Sequence, residues 1–145
     1  MNKLFFASVF IFLLGKASAQ TAALEHIAVY VHDLPKSTAF YQNIMGLDTV
    51  SEPFHDGRHT WFAIGGRSRL HLIGGAAEIN IHDKNSHLCF SVGSVPVFMK
   101  KLEKAGIPFE DWNGKPQTAT IRVDGVRQIY FRDPDGWWIE VNDAK

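Results

Sequence analysis

Four residues of metal-binding type recur at matched places in this chain. Leu24-Glu25-His26-Ile27-Ala28-Val29-Tyr30-Val31 is echoed by Asn85-Ser86-His87-Leu88-Cys89-Phe90-Ser91-Val92, and Arg69-Leu70-His71-Leu72 by Trp138-Ile139-Glu140-Val141. The matched slots hold His26, His87, His71 and Glu140. Imidazole nitrogens and carboxylate oxygens are ligands of the divalent first-row metals. A repeat that carries four of them to equivalent positions predicts one metal site on a pseudo-twofold axis. A metal with open positions there would act as a Lewis acid on oxygen, and proton transfer would need a base beside it.

The elements that must position these residues follow from local pattern. His26 to Val31 reads as a strand by alternation and β-branched content. Asp33 can cap a helix whose first turn accepts Pro35, whose apolar face is Leu34, Ser37, Phe40, Tyr41 and Ile44, and which Gly46 ends. His59 to Ile64 and Arg67 to Ile73 read as strands joined by Gly65-Gly66, a hairpin signal. In the second half, His87 to Val92 is a strand, and Ser94 caps a helix with Val95, Phe98, Leu102 and Ala105 on one face, closed by Gly106. Arg122-Val123 and Gln128 to Phe131 read as strands, Asp133-Pro134-Asp135-Gly136 as a turn, and Trp137 to Val141 as the last strand.

The two halves align with little slippage. His26 and His87 are 61 apart, as are Pro35 and Pro96, while Gly46 and Gly106 are 60 apart. Phe62 and Phe131, Leu70 and Ile139, and His71 and Glu140 are each 69 apart, which places an insertion around Asp111 to Thr120. The expectation is an α+β fold of two tandem βαβββ modules, residues 23–81 and 86–143, with an open concave mixed sheet and helices outside. Asn80 to Asn85 is the polar link. Strand alternation then puts Ile27, Val29, Val31, Leu70, Leu72, Leu88, Phe90, Ile139 and Val141 on the core side. His26, His71, His87 and Glu140 all fall on the other face.

Composition narrows the function classes. Residues 1–19 read as a secretory signal peptide: Lys3, an apolar run from Leu4 to Leu14, and the small-residue cleavage site Ala17-Ser18-Ala19. The run is too short to span a membrane. Loss of those 19 residues leaves 126 of 145, one domain with its own core, in an exported or periplasmic setting. It also removes Lys3 and Lys16, leaving 13 Lys+Arg against 15 Asp+Glu, a net charge of −2 that does not suit nucleic acid. The single cysteine, Cys89, excludes an internal disulfide and any paired-cysteine motif, and reads as a small core residue of its strand. The chain has no phosphate-binding loop, no serine-nucleophile motif and no dinucleotide fingerprint.

The strand Leu24 to Val31 with its following helix, together with Tyr130-Phe131-Arg132-Asp133-Pro134-Asp135-Gly136-Trp137-Trp138-Ile139-Glu140, resembles the vicinal-oxygen-chelate superfamily of glyoxalase I, methylmalonyl-CoA epimerase, fosfomycin- and bleomycin-resistance proteins and extradiol dioxygenases. The resemblance covers essentially all of residues 20–145. It implies that His26, His87 and Glu140 ligate the metal and that His71 takes a fourth position. In glyoxalase I that position resembles a ligand glutamate, and in the epimerase a glutamine, so His71 departs from the family pattern. Three histidines and one carboxylate would hold one Zn, Ni, Mn, Co or Fe(II) ion. Glu140 is then the one carboxylate able to serve as base as well as ligand.

The resemblance further implies a homodimer whose sites are shared: His26 and His71 of one chain with His87 and Glu140 of the other. It implies a glyoxalase-type lyase or isomerase acting on a small substrate with vicinal oxygens, through an enediolate-type intermediate. An extradiol-type dioxygenase and a metal-independent drug- or metabolite-binding protein are the alternatives. By alternation Tyr30, Arg69 and Trp138 line the cleft, and a cation with two aromatics suits a small acid or planar substrate. His55-Asp56-Gly57-Arg58-His59 reads as an exposed polar loop, and Trp112-Asn113-Gly114-Lys115-Pro116 either as a mobile loop over the site or as an ordinary connection.

Overall fold

The computed structural model describes residues 21–145; the signal-peptide residues 1–19 lie outside them. The first module runs β1 (His26–Val31), α1 (Leu34–Ala39, continued by a wider π-helical turn over Phe40–Met45), β2 (Thr49–Val50), β3 (His59–Ala63) and β4 (Arg69–Gly74). The second runs β5 (His87–Ser91), α2 (Val95–Ala105), β6 (Phe109–Glu110), β7 (Thr120–Ile121), β8 (Arg127–Arg132) and β9 (Trp138–Asn142). The helix ends are those the capping residues specify. Asp33 accepts from the Lys36 amide and Ser94 from that of Val97, and Gly46 and Gly106 close the helices with φ of 75° and 69°.

Two local details differ from the sequence pattern. The first helix widens to π geometry, ending with the Gly46 amide on the Tyr41 carbonyl, so that Phe40 and Tyr41 both reach the core as an edge-to-face pair. The strand expected at Arg122-Val123 lies instead at Thr120–Ile121, because the Gly125 amide bonds back to the Arg122 carbonyl and makes that segment a turn.

Each module forms its own sheet, in the orders β1-β4-β3-β2 and β5-β9-β8-β6, with β7 also on β8. In each, the first and last strands pair in parallel and the rest are antiparallel. The duplication extends to register. Ala28 pairs with His71 as Cys89 pairs with Glu140, and Trp61 pairs with His71 as Tyr130 pairs with Glu140. The hydrogen-bond ladder has kept residue-for-residue equivalence where only the side chains have diverged.

The two modules share one core. Val29, Val31, Phe62, Leu70 and Leu72 from the first sheet join Ile129, Phe131, Ile139 and Val141 from the second, with Phe40, Tyr41, Val95, Phe98 and Leu102 from the helices. Phe131 touches both helical segments, with ring centroids 6.3 Å from Phe40 and 5.9 Å from Phe98. A buried aromatic at such a junction contributes on the order of 3–5 kcal/mol when measured by truncation.

A polar seam locks the modules beside this core. Asp135 accepts from the His32 amide (2.6 Å) and the Ser37 hydroxyl (2.5 Å), and Asp133 accepts from the Tyr41 hydroxyl (2.8 Å). The other Asp133 oxygen takes the amides of Asp135 and Trp137, both at 2.9 Å. Gly136 closes this turn at φ 83°, and a Cβ there would stand 2.5 Å from the Asn80 carbonyl oxygen, so glycine is required by conformation and by space. No helix among the described residues is long and apolar enough to cross a membrane.

Candidate functional site

The strands turn their apolar sets to the shared core, which leaves His26, His71, His87 and Glu140 on the opposite faces, as alternation predicts. Within one chain they form two pairs. His26 and His71 belong to the first sheet, with rings stacked at 4.3 Å. His87 and Glu140 belong to the second, with Nε2 and Oε2 3.3 Å apart. Among the described residues of a single chain, no three His, Cys, Asp or Glu side chains converge on one point.

In the first pair, His71 is the central ring of a column. His26 stacks on one side, and Trp61 on the other at 3.8 Å and 3°. His71 is buried, and its Nε2 has no hydrogen-bond partner. Burial and the neighbouring His26 hold its pKa below the ordinary histidine value, so the ring favours its neutral form. A buried, unpartnered imidazole nitrogen is costly unless something occupies its lone pair or takes its proton. The Glu25 carboxylate holds Nδ1 of His26, which leaves Nε2 of that ring free of it. An open cleft of about 550 Å³, lined by Leu24, Glu25, Trp61, Arg67 and Arg69, adjoins the pair.

In the second pair the supporting shell is more complete. The Lys84 carbonyl lies 2.8 Å from Nδ1 of His87, and a carbonyl can only accept, so Nδ1 carries a proton and donates it there, which turns Nε2 toward Glu140. Oε2 of Glu140 accepts from the Tyr130 hydroxyl at 2.7 Å, and Oε1 accepts from Asn142 at 2.9 Å and the Cys89 thiol at 3.3 Å. Burial alone would raise the pKa of Glu140. The bonds from Asn142, Tyr130 and Cys89 and the proximity of His87 outweigh it and hold the carboxyl below its ordinary value. The same environment pushes the Cys89 thiol up to about 12, through burial and the adjacent carboxylate. Cys89 is therefore a thiol donor to Glu140 whose thiolate is disfavoured, and it stands exposed on the non-core face and not in the core, because strand alternation gives the core side to Leu88 and Phe90.

These are features of residues suited to a divalent ion. An imidazole nitrogen and a carboxylate oxygen side by side at 3.3 Å are both ligand types for a divalent ion, and the Nδ1 of His87 is fixed from behind by a carbonyl, as ligand histidines commonly are. His71 supplies a buried nitrogen with no hydrogen-bond partner among the described residues. The two pairs stand at equivalent register on separate sheets, and neither alone offers more than two such groups.

The substrate-lining candidates are likewise divided. Tyr30 and Arg69 stand on the outer face of the first sheet, and Trp138 on that of the second. The Tyr30 hydroxyl is bonded to the Gly75 carbonyl, the Arg69 guanidinium to that of Ser68, and the Trp138 indole N–H to that of His82. Trp61, Tyr130, Lys84 and Asn142 are supporting residues that sequence reasoning missed. Tyr130 and Trp61 are 69 apart, the same offset as His71 and Glu140, so the repeat itself carried that signal. The segment His55 to Arg58 is an exposed loop, with Glu52 accepting from the amides of Phe54 and His55. Trp112 reaches the second half-site, its ring 5.5 Å from that of Tyr130.

Residues 23–141 match the family model described as the Glyoxalase/Bleomycin resistance protein/Dioxygenase superfamily. The protein "Glyoxylase I 4" of Arabidopsis thaliana is 28% identical over 125 residues, spanning 82% of this chain and 69% of that protein. Among solved structures, the lactoylglutathione lyase of Agrobacterium tumefaciens superimposes with a TM-score of 0.63 at 25% identity, covering 86% of this chain and 95% of that one. The fosfomycin resistance protein FosX of Listeria monocytogenes superimposes at 0.68 with 24% identity, over 87% and 96% of the two chains.

Proposed function

Because the chain belongs to the glyoxalase/bleomycin resistance protein/dioxygenase superfamily, we propose that it is a divalent-metal-dependent enzyme of glyoxalase type, a lyase or isomerase acting on a small substrate with vicinal oxygens. Members of that superfamily bind small molecules, commonly use divalent metals and often form dimers. The observation that carries the reading is the pair of half-sites, His26/His71 and His87/Glu140, at identical register on the two non-core sheet faces. Their separation within a chain supports a dimer in which each site takes one half from each copy.

His26, His71, His87 and Glu140 would hold the ion. When bound, it would stabilise negative charge developing on two adjacent substrate oxygens. The chain supplies the rest. Trp61 and the Lys84 carbonyl fix the rings of His71 and His87. Glu140 is the base, taking the substrate proton on Oε2. Its proton affinity is depressed by the Tyr130, Asn142 and Cys89 bonds, so loosening any of them as substrate enters would strengthen it as a base. If Glu140→Gln retains activity, this assignment is wrong.

Export through the N-terminal leader is part of the proposal, with a mature chain starting at Gln20. N-terminal sequencing of the exported protein checks it.

The decisive experiment is elemental mass spectrometry on untagged protein purified without chelator, beside His87→Ala. Close to one metal per chain, lost in the variant, is expected. Zinc, nickel or cobalt would direct assays to isomerisation, and iron or manganese to catechol cleavage with oxygen uptake. No metal after reconstitution would overturn the proposal in favour of a metal-independent binding protein.

A further inference from the structure

Beside the His87/Glu140 pair lies a cavity of about 250 Å³ that the metal chemistry does not use. Its apolar walls include Phe109, Pro116, Tyr130 and Trp138. Two of these walls belong to both places. Tyr130 donates to Glu140, and Trp138 is the strand partner of His87. The volume falls just below the ~300 Å³ at which small-molecule pockets begin, so it suits one ring-sized end of a ligand.

The charge in this cavity is uneven. Glu110 lines it, but its carboxylate is taken by the Lys84 ammonium, which also donates to the carbonyls of Asp111 and Trp112 at 3.3 Å. Arg132 lines it too, held over the Trp138 ring at 4.4 Å from the centroid. Among the described residues Arg132 has no carboxylate partner. Lys84 and Glu110 cancel, and Arg132 leaves the cavity with one net positive charge, preset in position by stacking.

Resting on the proposed function, we infer that this cavity is the subsite for an anionic end of the substrate. The substrate would then be a small organic acid with its vicinal oxygens at one end. A short, flat apolar body would lie between Phe109, Pro116 and Tyr130, and a carboxylate remote from the oxygen pair would meet Arg132. A planar guanidinium matches a carboxylate with two parallel N–H donors, which a neutral polar end could not exploit.

The test uses 2-hydroxyacetophenone and its para-carboxylate, 4-(hydroxyacetyl)benzoate, titrated calorimetrically into the purified full chain with its metal content measured in the same sample. The acid is expected to bind about tenfold more tightly than the neutral ketone, the scale of one charge-assisted bond. Arg132→Ala should abolish that preference, Arg132→Lys should keep part of it, and the metal content should not change. Equal affinity, a preference that survives Arg132→Ala, or no detectable binding of the acid would overturn the subsite. The metal measurement reads the proposed function independently, since the acid-to-neutral ratio at Arg132 requires no metal.

Discussion

His87 and Glu140 face each other across 3.3 Å with their remaining polar atoms already engaged: Nδ1 of the histidine by the Lys84 carbonyl, and the carboxylate by Tyr130, Asn142 and Cys89. The arrangement orients both groups before any ligand arrives. Tyr130→Phe removes one of the bonds while keeping the ring in its place. We expect metal affinity to fall by roughly 10–100-fold, the usual cost of losing a supporting hydrogen bond, with thermal unfolding little changed. Competition against a metallochromic indicator measures it, and an unchanged affinity would remove Tyr130 from the site.

Trp61 does for His71 what Tyr130 does for Glu140, by stacking instead of hydrogen bonding. Trp61→Ala should cost on the order of 2 kcal/mol of stability, below the 3–5 kcal/mol of a fully buried aromatic because Trp61 is half-buried. It should also weaken metal binding, whereas Trp61→Phe keeps a flat platform and should restore most of that affinity. Equal losses in the two variants would mean that the stack does not position His71.

Shared sites make a stoichiometric prediction. His71→Ala and Glu140→Ala should each be inactive alone. Refolded together, they form mixed dimers in which one of the two sites draws its intact His26/His71 half from one chain and its intact His87/Glu140 half from the other. Random pairing then restores about a quarter of the wild-type sites. A site complete within one chain would show no recovery.

Asp133 gives the pH dependence. Burial raises its pKa above the ordinary 3.8, against the lowering effect of bonds from Tyr41, Trp137 and Asp135. The folded state therefore holds this proton more tightly than the unfolded chain, and the stabilisation is complete below 3.8 and lost as pH rises through the folded value. Asp133→Asn does not titrate there. Its stability relative to wild type should rise over that window and then stay level, as urea titrations at stepped pH would show. Asp133→Ala, which strands the Tyr41 hydroxyl and two amides, should cost roughly 2–4 kcal/mol below pH 3.8 and less above the folded value, since it too does not titrate. A constant difference between wild type and Asp133→Asn would show that the carboxyl is not perturbed.

Much of this protein was legible in order along the chain. Capping residues marked both helices because Asp33, Ser94, Gly46 and Gly106 act through bonds or backbone angles within a few residues of themselves. The repeat located the candidate ligands because a parallel β1–β4 pairing and its copy, β5–β9, preserve register, and alternation put those side chains opposite the core. The π-helical turn was not legible. It follows from fitting both Phe40 and Tyr41 into a core shared with Phe62, Phe98 and Phe131, which are distant in sequence.

The sequence by itself determined the duplicated fold, the non-core location of His26, His71, His87 and Glu140, and the absence of an internal disulfide. These are properties of short-range pattern and of periodicity. Tertiary structure alone decided that the four residues stand as two pairs in one chain, and that Lys84 cancels Glu110 while Arg132 keeps its charge beside Trp138. Those outcomes depend on how two sheets pack against shared helices and on which side chains then meet across many tens of residues. Distances between such groups are set by the core, and no local pattern encodes them.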